Sequence, residues 1–459
     1  MKKTLYIIPV ITAALALTAC DSEEYLDKQP ILSTTSSTIF SSKDKIEANL
    51  LGIYGEAKSY LAYKGAAYND VRGDDVASLS SNIYECYSVY EMVVGLSTSD
   101  NSTTWSSLYS TINEANTFLE NIDKAKEIVG ADYAQYVAEA KFLRAWSYYI
   151  LNKLYGKPYV SAPTSLSVPL RLKAENNTSN DALAQSTVEE VYAQVLSDLS
   201  DENIAALPQG GASYDGETRA SKAAALTLRQ RVYLEEQNWK KAIADGEAIT
   251  GYSLTTTVAD IFNNNINSEV IFSFPMADTN KGGSQQSLAY YYYSGTVFVV
   301  DPVYSYRSNE AYNLNKDTRI SLLQEDLDGN YKLNKFTDAS SFLDWVPLLR
   351  YAEVKLNLAE AYYQDGQEEK AKQQLSDVRR RSISAQDDIL DINSLSGTAL
   401  RDAIYLERRA EFVGEGLRAL DITRRAENFV KRNGTFSVND DGYTWPIPTS
   451  ERVNNDLIK

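Results

Sequence analysis

Apolar residues recur every three or four positions through most of this chain, and long runs of that spacing predict helices. In "WSSLYSTINEANTFLENIDKA", Trp105, Leu108, Ile112, Ala115, Leu119 and Ile122 form one stripe opposite a polar face. "AEAKFLRAWSYYILNKLYG" repeats the pattern with Phe142, Trp146, Tyr149, Ile150 and Leu154, and Gly156 and Pro158 end it. Two further stretches, "YLEEQNWKKA" (233–242) and "YYQDGQEEKA" (362–371), share one layout. Each has a helix ending in Tyr, a short polar turn, and a second helix whose first turn presents Ala242 or Ala371. Small alanines where helices cross closely are what a tetratricopeptide-like hairpin requires.

Between these repeats the pattern changes. "EVIFSF", "TVFVV" and "SLLQEDLDGNYKLNKF" read as short strands, the last as a hairpin turning at Asp328-Gly329. The acidic "EDLDGN" does not fit an EF-hand loop, because the glycine is misplaced and no bidentate Glu follows at the right distance. The expected fold is mostly α: a tetratricopeptide-like scaffold of helical hairpins wound as a right-handed superhelix, with a loop-rich section of short strands. The scaffold takes residues 35–250 and 344–459 of a single domain, and the strand section takes 251–343.

Lys2 and Lys3 precede an uncharged run from Leu5 to Leu17 that is too short to span a membrane, which takes roughly 20 residues. Residues 1–19 therefore read as a signal peptide. Leu17-Thr18-Ala19-Cys20 resembles the lipobox of bacterial lipoproteins, which implies an acylated Cys20 held in outer-membrane lipid. Each buried methylene adds about 0.8 kcal/mol to such an anchor. Asp21, Glu23, Glu24 and Asp27 follow, so residues 20–34 read as an acidic tether that resembles a surface-export signal.

Charge and chemistry narrow the function. A formal net charge of −17 repels phosphate backbones, so no nucleic-acid partner is expected. There are two cysteines, and with Cys20 acylated an intramolecular disulfide is excluded. The absence of histidine removes Ser-His-Asp triads, Cys-His pairs and imidazole bases. Carboxylate chemistry, such as that of a glycosidase, is what remains open to catalysis. Arg408, Arg409, Glu411, Glu415, Arg418 and Asp421 recur at helical spacing and read as a salt-bridged face or buried network.

Further motifs carry a family resemblance: "CDSEEYLDKQP", "AEAKFLRAWSYYILNKLYG", "STVEEVYAQVLSDL", "LLRYAEVKLNLAEAYY", "ERRAEFVGEGLRALDITRR" and "WPIPTSE". In this order over the mature chain they resemble the SusD/RagB family of outer-membrane nutrient-binding lipoproteins. The resemblance implies a binding protein without catalytic residues, cofactor or metal. It also implies a partner, a SusC-like TonB-dependent outer-membrane transporter, to which a captured oligosaccharide is delivered. In the RagB-like branch the ligand is a peptide.

A saccharide presents a ring face of C–H bonds and a rim of hydroxyls, which call for flat aromatic platforms and paired polar groups. The chain has 33 tyrosines against 12 phenylalanines. Trp105, Trp146, Trp239 and Trp445 fall in framework motifs and read as core, and the apolar neighbours of Trp345 favour the same reading. Two segments stand outside the framework. "YNDVRGDDVASLSSNIYECYSVYE" offers Asp70, Arg72, Asp74, Asp75, Tyr84, Tyr87 and Tyr90, and the resemblance places this region at the family's ligand surface. "SQQSLAYYYYSG" offers Tyr290, Tyr291, Tyr292 and Tyr293. If extended, it points Tyr290 and Tyr292 one way and Tyr291 and Tyr293 the other.

Overall fold

The computed structural model describes residues 36–82, 86–175, 182–263, 265–294, 297–300 and 316–458. The signal peptide, the tether with Cys20, and Tyr84 lie outside them. The first half is helical: α1 (Lys43–Lys58), α2 (Ala66–Arg72), strand β1 (Val76–Ser78), α3 (Tyr87–Tyr90), α4 (Ser99–Ile122), α5 (Tyr133–Tyr155) and α6 (Val188–Asp198). The apolar stripe on α4 is buried as its spacing predicts, with Leu108, Ile112, Ala115 and Ile122 at 1 % exposure or less. Helix α5 packs against α1, α4 and α6, and from Ser147 to Tyr155 every residue is buried. It ends at Gly156, where a Cβ would stand 2.8 Å from the carbonyl oxygen of Asn152.

The repeat is observed in detail. Helices α7 (Lys222–Glu235) and α8 (Trp239–Ala248) form one hairpin; α9 (Tyr351–Gln364) and α10 (Glu368–Ser382) form the other. The turns superpose residue for residue in their hydrogen bonding. Asn238 N–H donates to the Tyr233 carbonyl and Gln367 N–H to the Tyr362 carbonyl, each at 2.8 Å. The residue before each donor is left-handed, Gln237 at φ +56° and Gly366 at φ +76°. This is the six-residue closure that satisfies the last carbonyls of a helix. Ala242 and Ala371 are fully buried at the crossings, and α8 packs on α9 so that the two hairpins stack.

Strands occupy the stretch between the hairpins: β2 (Val270–Phe274), β3 (Phe298–Val300), β4 (Leu323–Glu325), β5 (Tyr331–Leu333) and β6 (Val346–Arg350). The predicted hairpin is present, with Leu323 opposite Leu333 and Gly329 at φ +80° in its turn. A four-stranded sheet runs β1-β3-β5-β4, so it recruits one strand from far outside the 251–343 section. A separate antiparallel pair joins β2 to β6. There Phe272 enters the core beside Trp146 and Phe142, with ring centroids 5.3 and 5.6 Å away. The chain closes with α11 (Gly397–Phe412), α12 (Arg418–Arg424), the β7–β8 hairpin (Phe429–Lys431, Gly434–Phe436) and α13 (Thr449–Asn454). No helix among the described residues is long and apolar enough to cross a membrane.

Candidate ligand surfaces

The polar residues of the first candidate segment lie inside the fold. Helix α2 is buried along its whole length. Asp70 accepts hydrogen bonds from the Tyr292 hydroxyl at 2.6 Å and from Gly416 N–H at 2.8 Å. Arg72, 1 % exposed, donates to the Tyr443 carbonyl and lies 4.9 Å from the Phe429 ring centroid. Burial lowers its pKa to about 10. Asp74 pairs with Arg418 through bonds of 2.5 and 2.9 Å, and Asp75 pairs with Arg409 at 2.5 Å. These four residues are corrected from ligand contacts to interior ties, because each is committed to an intramolecular partner from which a ligand would have to detach it.

Burial is the main influence on Asp70 and lifts its pKa to about 7, against the opposing hydrogen bonds from Tyr292 and Gly416. A carboxyl whose folded pKa is raised favours folding as the neutral acid. That contribution fades as pH climbs from the ordinary aspartate value of 3.8 through about 7. Asp70→Asn is therefore expected to match the parent at pH 4 and to be more stable by about 1–3 kcal/mol at pH 8–9. Melting temperature recorded against pH checks this; a variant destabilised equally at both ends contradicts it.

The four-tyrosine run is a wide helical turn (Tyr290–Ser294), so the alternation expected of an extended strand is replaced. Neighbouring residues of the turn, Tyr291 and Tyr292, both point inward. Tyr291 stacks on Phe298 with centroids 4.7 Å apart and donates to the Gln285 carbonyl at 2.8 Å. Tyr292 has no exposed surface. Tyr290 is half-buried and Tyr293 is 38 % exposed. Tyr90 is also interior, under the Lys431 ammonium at 4.4 Å, whereas Tyr87 is half-buried. Tyr90, Tyr291 and Tyr292 are thus packing residues.

The two segments nevertheless meet. Strand β1 pairs with β3, and Leu79 N–H extends the ladder to the Val297 carbonyl at 2.8 Å. Helix α3 packs on β1, and the tyrosine turn packs on β3. One small sheet therefore backs both segments, the helix that bears Tyr87 on β1 and the turn that bears Tyr290 and Tyr293 on β3, although some 200 residues separate them in sequence.

Beneath lies a dense ionic core. Arg350 bonds Glu269, Glu411 and Glu415; Arg319 bonds Asp317, Glu407 and Glu411; Arg381 bonds Glu269 and Glu411. Arg408 bonds Asp421 at 2.6 Å. The charges of 408–421 thus form the buried network their spacing suggests. Burial works to raise the Glu411 pKa, but Arg381, Arg350 and Arg319 outweigh it and hold the carboxyl well below the usual range. Such a group is unsuited to donate a proton near neutrality.

A cleft of about 430 Å³ opens where α4 meets α13 and residues 171–175. Trp105 and Tyr109 line it side by side, with centroids 4.7 Å apart. Trp105 is core as expected, at 5 % exposure, yet it also meets the cleft. The signal was in "WSSLYSTINEAN", where Trp105, Tyr109 and Asn113 succeed one another at four-residue spacing and make a ring-and-amide edge beside the apolar stripe.

Family models match nearly the whole length. Residues 24–234 match one described as "Starch-binding associating with outer membrane", and residues 228–459 match that of the SusD family. A SusD superfamily protein of Bacteroides fragilis is 45 % identical, with a TM-score of 0.88, covering 92 % of this chain and 100 % of that one. SusD-like protein P25 of Formosa agariphila is 26 % identical over 90 % of this chain and 89 % of its own. A laminarin-binding SusD-like protein shares the fold at TM-score 0.73 and 21 % identity, with 91 % and 98 % covered. The chain belongs to the SusD/RagB family.

Proposed function

We propose that this protein is a cell-surface lipoprotein that captures nutrient oligosaccharides and hands them to a TonB-dependent outer-membrane transporter. It performs no chemical step. Residues 1–19 direct export, acylated Cys20 anchors the chain, and residues 20–34 tether the folded body of 35–459. Holding capture beside the transporter raises the ligand concentration at its mouth. The family's starch-binding, outer-membrane description supports the reading, as does the laminarin-binding relative. The observation that carries it is that the two tyrosine-bearing segments, with Tyr87 on one and Tyr290 and Tyr293 on the other, pack on the same small sheet. Half-exposed phenol rings there offer stacking faces and hydroxyls together.

In a panel of starch- and laminarin-derived oligosaccharides, the Tyr87→Ala/Tyr293→Ala variant is expected to bind at least about tenfold more weakly, or ~1.4 kcal/mol. Calorimetry and an unchanged melting temperature establish the comparison. If no saccharide binds and native mass spectrometry finds co-purified peptides instead, the RagB-like peptide reading replaces this one.

A further inference from the structure

The cleft between α4 and α13 is built more rigidly than a surface dip requires. Trp105 donates its indole N–H to Glu451 at 3.3 Å, and Tyr109 donates its hydroxyl to the Pro169 carbonyl at 2.7 Å. Arg171, with a side chain 9 % exposed, pairs with Glu451 at 2.8 Å and also with Glu175. Three asparagines fasten the wall. Asn113 binds both backbone groups of Glu175, Asn116 holds the carbonyls of Arg171 and Lys173, and Asn455 bonds Glu451 and both backbone groups of Leu183. Every group that forms the floor is thus positioned by another, so little ordering is left to oppose a ligand.

The volume, about 430 Å³, lies within the roughly 300–1,000 Å³ of small-molecule sites. Trp105 and Tyr109 line it together with the polar residues Lys173, Ser450 and Asn454. The charges balance: Arg171 and Lys173 against Glu175 and Glu451. A site so composed attracts no net charge, and it offers donors and acceptors for hydroxyls beside rings for C–H faces.

From this we infer a second saccharide site, distinct from the tyrosine-bearing segments packed on the sheet, which takes the end of a neutral oligosaccharide. The inference rests on the saccharide-capture reading above. Two sites on one molecule let a single long glycan be held at two points, and avidity then exceeds either affinity alone.

The test is calorimetry with neutral starch- and laminarin-derived oligosaccharides and with an oligogalacturonate. Three proteins are compared: the parent, Tyr109→Ala/Lys173→Ala, and Tyr87→Ala/Tyr293→Ala. The parent is expected to show two classes of site for a neutral glycan. The cleft variant should lose one class, by at least tenfold, while the sheet variant keeps it. Two classes that both survive in the cleft variant, or one class only, overturn the second site while leaving capture at the sheet intact. Tighter binding of the oligogalacturonate than of the neutral glycans, abolished in the cleft variant, overturns the neutral assignment. A panel in which nothing binds the parent overturns both readings. Because Tyr109 is half-buried, Lys173→Ala alone, at an exposed position, serves as the comparison if the double variant melts early; its unchanged affinity would also count against the cleft.

Discussion

Arg350→Met should lower the melting temperature more than any other single charge removal, at a cost of about 3–5 kcal/mol. The guanidinium is 2 % exposed and places all five N–H donors: Nε on Glu415 at 2.6 Å, Nη1 on Glu269 and Glu411 at 2.7 and 2.6 Å, Nη2 on Glu415 and the Glu411 carbonyl at 2.8 and 3.0 Å. Methionine fills much of the volume but leaves three buried carboxylates short of a counter-charge. Pairing Arg350→Met with Glu411→Gln should therefore cost less than the two single effects added together, since each removes the other's stranded group. The exposed pair Lys43–Asp132 is the control. Lys43→Met should leave the melting temperature where it was, because water screens that pair. Thermal unfolding of the four variants checks the ordering; an Arg350→Met protein as stable as Lys43→Met would contradict it.

Gly416→Ala is the second large effect, about 2–5 kcal/mol. The residue sits at φ +73°, and a Cβ there would lie 2.7 Å from the Ala66 Cα and 3.2 Å from its carbonyl oxygen. Those are backbone atoms of α2 and cannot swing aside. Its N–H also fixes Asp70, so the strain reaches the tyrosine turn through the Tyr292 hydroxyl that Asp70 holds. Gly366→Ala, left-handed but in open space, should cost only the conformational part, about 1 kcal/mol. Gly55→Ala, at an exposed position of α1 with nothing within 4 Å, should stabilise by about 0.5–1 kcal/mol. Melting temperatures that fail to follow this order would show that the close approach to α2 yields more readily than its backbone contacts imply.

The helices were legible because their cause is local. The stripe on α4, the stop at Gly156 and the paired turns at Gln237 and Gly366 each follow from residues a few positions apart. The pairing of charges was half legible. Helical spacing grouped Arg408 to Asp421 as a network, but Arg409 and Arg418 find Asp75 and Asp74 more than 300 positions away. No periodicity signals such a partner, so those aspartates read as surface groups when they are interior ones. The tyrosine run failed on geometry. Alternation holds only for an extended chain, whereas in a wide helical turn adjacent rings share a side. What sequence could not supply was the β1–β3 pairing that puts the segments of Tyr87 and Tyr293 on one sheet, because short strands announce themselves but not their neighbours.

The β2–β6 pair has a consequence for how this chain can change. Its last rung sets Val270 beside Arg350, and Tyr351 N–H bonds the Glu269 carbonyl at 2.9 Å. The chain therefore departs from the helical scaffold and rejoins it at a single doorway, immediately before α9 begins. Everything between Pro275 and Trp345 is an excursion whose two ends are already clamped. Within it Arg319 bonds Glu407 and Glu411, Tyr292 bonds Asp70 and β3 pairs with β1, so the excursion is also pinned to the rest of the fold at those points. The stacked hairpins can stay constant while the stretches between these anchors change, since lengthening a flexible loop costs only about 0.6 kcal/mol per doubling, but the anchors themselves must be kept.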